Sequence, residues 1–318
     1  MKRLPLLFFP IVLIAVDVSN AGPPITSLAF SPDLQSVVAC SQSGVTVYAW
    51  PGLTPIKQIE SSSPNLHDLA FSPGGDRLAV AGGTPAEDGT VEIISWPGGK
   101  SLKRLTGHFD SVMSVCWLDE STLASAGMDH DVLIWNVNSG EKVQTLKGHS
   151  RGVTSVAYIA RQGVLVTAGL DQSLRVWNPV SGDLIRSLSI HVKPVSSVRF
   201  RPGMTGLPMI ASASDDMTVR FWQPTIGRMV RFARLPSQPR DIQWMPDGTQ
   251  ILACCNDGHV YLVDPETVQV RQDLGALDGW AYAIAVHPVD NDILVGGGDG
   301  ILLRLANPTR GRAAEHTP

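Results

Sequence analysis

The stretch GHFDSVMSVCWLDESTLASAGMDHDVLIWN, residues 107–136, decides the fold, because the chain at once repeats it as GHSRGVTSVAYIARQGVLVTAGLDQSLRVWN, residues 148–178. Each copy opens on Gly-His and then holds three apolar runs. The second run ends in a turn aspartate, Asp129 or Asp171, and the third ends on a tryptophan six residues later, Trp135 or Trp177. Apolar alternation with period two, bounded by Gly, Asp, Asn and Ser, predicts β-strands joined by tight turns.

Outward from this pair, the first run returns as ITSLAFSP from Ile25, LHDLAFSP from Leu66, VSSVRFRP from Val195, PRDIQWMP from Pro239 and AYAIAVHP from Ala281. That makes seven copies at a period of about 42 residues, each apolar at its fourth and sixth positions, which predicts one buried face. The turn aspartate recurs at Asp216, Asp257 and Asp299, and the third run ends at Trp222, Val263 and Leu305, with Tyr48 and Ile94 in the first two copies. A fourth short strand fits Leu102–Leu105, Glu141–Leu146 and Leu184–Leu188. A four-stranded unit cannot bury its apolar face alone, so the units must stack, and seven close into a ring. The expected fold is all-β, a seven-bladed β-propeller of four-stranded antiparallel blades. At about 150 residues per domain the length suggests two domains, but the repeat makes residues 22–308 a single one, with 309–318 as a flexible tail.

Hydrophobic residues are 43% of the 318 and charged residues 17%, below the roughly 25% charged that is usual, so the chain can bury a large core and is not disordered. Lys and Arg number 25 against 29 Asp and Glu, a net charge of -4. That balance lacks the basic excess that phosphate neutralisation demands, so no nucleic-acid partner is expected. Cys40, Cys116, Cys254 and Cys255 match no disulfide framework or zinc spacing and are expected as buried thiols, the last two on opposite faces of one strand. His130, His259 and His287 stand alone in turns or at strand exits and are expected at the surface. No metal, cofactor or catalytic motif is found, and the Gly296–Gly300 run falls where other copies have their aspartate turn.

Residues 1–21 admit two readings. Lys2 and Arg3, the apolar run Leu4–Val16 and the small residues ending at Ala21 have the layout of a secretory signal peptide, which would make the protein periplasmic or secreted from Gly22. The run is too short for a transmembrane span of about 20 residues. Alternatively residues 14–18 are a strand that closes the last blade of a cytoplasmic protein, since after Leu305 the chain offers only a short tail with Pro308. Unless that segment or the tail supplies a strand, blade seven is incomplete.

The unit Gly107, His108, Ser125, Asp129, Trp135, followed by Gly148, His149, Thr167, Asp171, Trp177 and by His191, Ser212, Asp216, Trp222 with Ile190 in the Gly position, resembles the WD-repeat family of β-propellers. Blades one, two, six and seven depart from the pattern at the Trp position. The resemblance implies that each His, hydroxyl, Asp and Trp set is a buried hydrogen-bond strut rather than a catalytic triad. It also implies that partners dock on the face carrying the loops before the first strands. Phe109, Asp110, Arg151, Lys193, Trp280 and Tyr282 map to those loops, with Met128, Leu170 and Asp215 just ahead of the turn aspartates. Their mixed charge fits a protein or peptide partner. The expected function is a non-enzymatic, exported scaffold, a monomeric ring. The alternatives are a cytoplasmic scaffold, or a propeller enzyme using His67, Asp68 and Asp241 at the channel.

Overall fold

The computed structural model describes residues 13–15, 22–275 and 277–307. They form seven four-stranded antiparallel sheets, six of them built from four strands in chain order. Blade three is typical, with Val112–Trp117 innermost, then Thr122–Gly127, Val132–Asn136 and Glu141–Leu146 outermost. Inner strands of successive blades pack on one another round the ring, and that of blade seven, Ala281–Val286, returns to that of blade one, Ser27–Phe30.

Seven apolar clusters form the core, one in each interface between neighbouring blades. This corrects the expectation of one buried face per strand. Val164–Gly169 is buried at all six positions and Val260–Val263 at all four, because the neighbouring blades cover a sheet on both sides. Cys254 accordingly enters the interface of blades six and seven while Cys255 enters that of blades five and six. Each buried Val, Leu, Ile or Phe contributes about 1.5–3 kcal/mol, so the interfaces supply most of the stabilisation.

Blade seven contributes three strands from its own end of the chain. Its fourth is Leu13–Ala15, antiparallel to Leu302–Leu305 with Leu13 opposite Leu305 and Ala15 opposite Leu303. The closing strand expected at 14–18 therefore pairs at its first two residues and at Leu13, and its remainder lies outside the described residues, as do the rest of 1–21 and the 309–318 tail. His287 is a correction. Expected at the surface, it is 5% exposed and stacked on Trp50 at 5.1 Å, with Phe30 edge-on at 4.9 Å. It seals blade seven against blade one.

The three His, hydroxyl, Asp and Trp sets are chains of hydrogen bonds. In blade four Trp177 Nε1–H donates to Thr167 Oγ1 at 2.9 Å, which lies 2.7 Å from His149 Nε2, while His149 Nδ1 is 3.0 Å from Asp171. Blade three repeats this with Trp135, Ser125, His108 and Asp129, and blade five with Trp222, Ser212, His191 and Asp216. A neutral imidazole protonated on Nδ1 satisfies every group, since Nε2 then accepts the hydroxyl proton. The glycine before His149 gives the indole its room, because a Cβ on Gly148 would stand 3.0 Å from Trp177 Cη2. In blade five the same position holds Ile190, 47% exposed.

Burial pushes the Asp216 carboxyl up, but hydrogen bonds from Thr218 and His191 and the imidazole's charge outweigh it and hold the group at about 2. Asp129 and Asp171 are also lowered, with their histidines as the leading opponents of burial. Burial lowers His191, against its bond to Asp216.

Two outcomes are expected. Thr167→Val should leave Trp177 Nε1 and His149 Nε2 without a partner and cost about 1–3 kcal/mol, whereas Thr167→Ser, which restores the arrangement of blades three and five, should be nearly neutral in denaturant titration. Melting temperature should fall as pH drops below 6.5, where the unfolded chain protonates His191 before the folded one does. It should fall further below 3.8, where the unfolded aspartates take up protons that folded Asp129, Asp171 and Asp216 resist. Thermal melts from pH 7 to about pH 2.5 check this, and a flat profile contradicts it.

Candidate functional site

One face of the ring is assembled by a repeated backbone bond. In blades three, four, five and seven the residue after the second strand donates its N–H to the residue just before the first strand of the same blade: Met128 to Ser111, Leu170 to Gly152, Asp215 to Pro194 and Gly298 to Trp280, each at 2.9 Å. The loops before the inner strands and the aspartate turns therefore share one end of these blades. All nine residues expected for partner binding lie on these loops and turns or at the strand start they lead into.

They are not equivalent. Phe109 is 79% and Trp280 50% exposed, and Arg151 and Lys193 are also exposed. Met128, Leu170, Asp215 and Tyr282 are half-buried, and Met128 lies close over the next loop, with its sulfur 2.6 Å from where a Cβ on Gly152 would stand. The Asp110 carboxylate accepts the Ala86 N–H at 2.9 Å and so ties the turn between the second and third strands of blade two to blade three. Sequence reasoning missed Val192, 69% exposed beside His191, and Arg240, whose guanidinium lies 5.4 Å from the Trp280 ring centre. The signal for Arg240 was present, since its strand position holds a small hydroxyl residue in blades one, four and five, namely Thr26, Thr154 and Ser196. Those hydroxyls donate to the next blade at Leu66 O, Val195 O and Pro239 O.

The third positions of the inner strands are Ser27, Asp68, Ser114, Ser155, Ser197, Asp241 and Ala283, of which Ser27, Asp68, Ser114 and Asp241 line the central cavity. These side chains fasten blades to one another. Asp68 accepts the hydroxyls of Ser27 and Ser114 at 2.9 Å and the N–H groups of Leu69 and Val115. Asp241 accepts Ser197 Oγ at 2.8 Å and Arg199 Nη2 at 2.9 Å. Burial pushes the Asp68 carboxyl up, against the pull of the Arg199 charge and its donors. A cavity of about 450 Å³ runs along this lining and includes Asp68, Arg199 and Asp241. Four donors thus converge on the two oxygens of Asp68. His67 lies beside it, with Nε2 buried and lacking a hydrogen-bond partner among the described residues.

Among the described residues no group of three His, Cys, Asp or Glu side chains is placed to hold a metal, and no helix is long and apolar enough to cross a membrane. Burial pushes the Cys40 thiol up to about 12 and that of Cys116, which is half-buried, to about 11.

The family model "WD domain, G-beta repeat" matches residues 99–136, 140–178, 182–223 and 235–264. Each match runs from the outer strand of one blade, or the segment just after it, through the third strand of the next. The chain is 29% identical to the Nuclear distribution protein PAC1 of Coccidioides posadasii over 81% of this chain and 57% of that protein. It is 31% identical to an uncharacterised WD repeat-containing protein of Synechocystis over 42% of this chain and 38% of that one. A shorter match, 44% identical over 59 residues, is to the Ribosome biogenesis protein WDR12 homolog of Nematostella vectensis, covering 19% of this chain and 14% of that one. The chain thus spans less than two thirds of each of these relatives. With seven four-stranded blades, a strut in each of three of them and the repeat model matched in four, the chain belongs to the WD-repeat family of β-propellers.

Proposed function

We propose that the protein is a non-enzymatic scaffold, a single ring that holds a protein or peptide partner on the face bearing Phe109, Arg151, Lys193 and Trp280. The observation that carries this reading is the exposure of Phe109 and Trp280 on loops pinned by backbone bonds to rigid blades. Exposed aromatic side chains beside arginine are the usual centres of binding energy. The burial of the three His, hydroxyl and Asp sets behind tryptophans supports a structural over a catalytic role for them, and the four donors that converge on Asp68 support the same for the channel.

The pairing of Leu13–Ala15 with Leu303–Leu305 supports a retained N-terminus and a protein that works inside the cell. Export after Ala21 would remove that strand. The names of two relatives, for nuclear distribution and ribosome biogenesis, point the same way.

Phe109→Ser combined with Arg151→Glu should weaken partner binding at least tenfold, about 1.4 kcal/mol, without changing the melting temperature. Titration of the cross-linked and identified partner against both proteins checks it, and unaltered binding rejects the docking face. Intact mass of the protein from its own host should show a chain starting at or next to Met1. Deletion of residues 1–15 should lower the melting temperature by several degrees, since about 1 kcal/mol corresponds to about 2–4 °C in a large domain. A mature start at Gly22 would restore the export reading.

A further inference from the structure

Blade seven keeps the strut aspartate but has lost the strut. Four residues before the inner strand, blades three, four and five have His108, His149 and His191, where blade seven has Leu277. The replacement is spatial as well as sequential. A Cβ on Gly127 would stand 2.4 Å from both Asp129 Oδ1 and His108 Nδ1, and a Cβ on the matching Gly297 would stand 2.6 Å from Asp299 Oδ1 and 3.0 Å from Leu277 Cδ1. Val295 and Leu305 replace the hydroxyl and the tryptophan. Asp299 Oδ1 still accepts the Ile301 N–H that shapes the turn. Among the described residues no side chain donates to its carboxylate. In blade six, where the histidine is also missing, Tyr261 OH donates to Asp257 at 2.8 Å, so that carboxylate is occupied.

The turn also exchanges a large side chain for none. The position that carries Met128, Leu170, Asp215 and Asn256 in blades three to six is Gly298, and the loop residue bonded to it is the bulky Trp280. A cavity of about 300 Å³ results, lined by Asp278, Gly279, Trp280, Tyr282, Gly298 and Asp299. Its size is at the bottom of the range of about 300–1,000 Å³ for small-molecule sites, which suits one side chain rather than a cofactor. The walls are two aromatic rings 5.8 Å apart and tilted 53° to each other, and the charged groups in the lining are two carboxylates, with the Arg240 guanidinium outside the lining 5.4 Å from the Trp280 ring centre.

Resting on the docking face proposed above, we infer that this cavity takes an arginine side chain of the partner. A planar guanidinium can stack on the Tyr282 ring and meet the edge of Trp280, whose ring also carries Arg240, while its N–H groups reach the carboxylates of Asp299 and Asp278, a combination that the compact, strongly hydrated lysine ammonium matches less well. The aspartate that elsewhere braces a blade here becomes a recognition group.

The probe is Nα-acetyl-arginine methylamide, titrated into the full chain with ¹⁵N-labelled tryptophan, the Trp280 indole signal being assigned with Trp280→Phe. That signal should shift saturably with a dissociation constant on the order of 1 mM. The neutral citrulline analogue should move it about tenfold less, because it keeps the shape and loses the charge. The lysine analogue should fall in between. Asp299→Asn, whose amide oxygen can still accept the Ile301 N–H, should weaken binding at least fivefold with an unchanged melting temperature, and Gly298→Met should block it by filling the cavity. No shift at about 50 mM arginine derivative, or equal responses to arginine and citrulline, overturns the inference, and so does a lysine response that matches or exceeds arginine. A missing arginine response while Phe109→Ser with Arg151→Glu still releases the partner removes the pocket and leaves the docking face standing. An arginine response abolished by Asp299→Asn, with partner binding indifferent to every loop change, keeps the pocket and removes the docking face.

Discussion

Each blade is a sheet with two apolar faces, and water is excluded from both only when another blade lies on each side. That constraint governs the rest of the molecule. An open stack would leave two end sheets exposed, so the stack must curve until its last member meets its first. Closure then concentrates the difficulty at one seam, where blade seven meets blade one. There the chain places its densest aromatic packing, Trp50 stacked on His287 with Phe30 against both and the Arg304 guanidinium 4.6 Å above the indole. The fourth strand of that blade comes from the opposite end of the sequence, so the seam is held by backbone pairing as well as by packing.

The same requirement explains why the strut can be lost without losing the fold. The strut holds the loop before the inner strand against the blade, and any buried hydrogen bond that spans the gap will serve. Blade two uses Glu92, 3% exposed on its third strand, which accepts the Ser61 hydroxyl at 2.8 Å and the Ser62 N–H at 3.0 Å, with Ser63 and Thr90 2.6 Å apart beside it. Burial would push that carboxyl up, yet the bonds around it hold it below its ordinary value. On the channel side Asp68 and Asp241 tie inner strands together where other blades use single hydroxyls. The physical function persists while the residues that perform it change.

What could be read from the sequence follows from this distinction. The first and third strands of all seven blades were legible because alternation and turn residues are imposed locally, and Glu141–Leu146 and Leu184–Leu188 form two of the outer strands that the pattern anticipates. The burial of both faces was not legible, since nothing in a single strand tells whether one blade or two will cover it. His287 was misread for a related reason: its partners Trp50 and Phe30 are more than two hundred residues away in the chain, and only ring closure brings them together. Glu92 had no signal beyond being a lone carboxylate in an apolar strand, which is itself a reason to look for a buried donor. The binding-face residues could be assigned to loops but not ranked, because Asp110 and Phe109 are neighbours in sequence and only the fold shows one bonded to Ala86 N–H and the other bare to solvent.

A strut of this kind ends on the loop face, and that position makes it convertible. The aspartate sits in a turn that needs only one of its oxygens, so deletion of the histidine leaves the turn intact and the other oxygen at the edge of solvent. Where a tyrosine donates to it, as in blade six, the carboxylate remains part of the brace. Where the replacement is apolar and the adjoining side chain shrinks to glycine, as at Leu277 and Gly298, the same carboxylate lines an aromatic-walled cavity. The rigidity that makes the ring a good scaffold then serves recognition, because Trp280 is joined by its carbonyl to the Gly298 N–H. Its main chain and the turn that carries Asp299 are thus held together before any partner arrives, which lowers the ordering cost of binding.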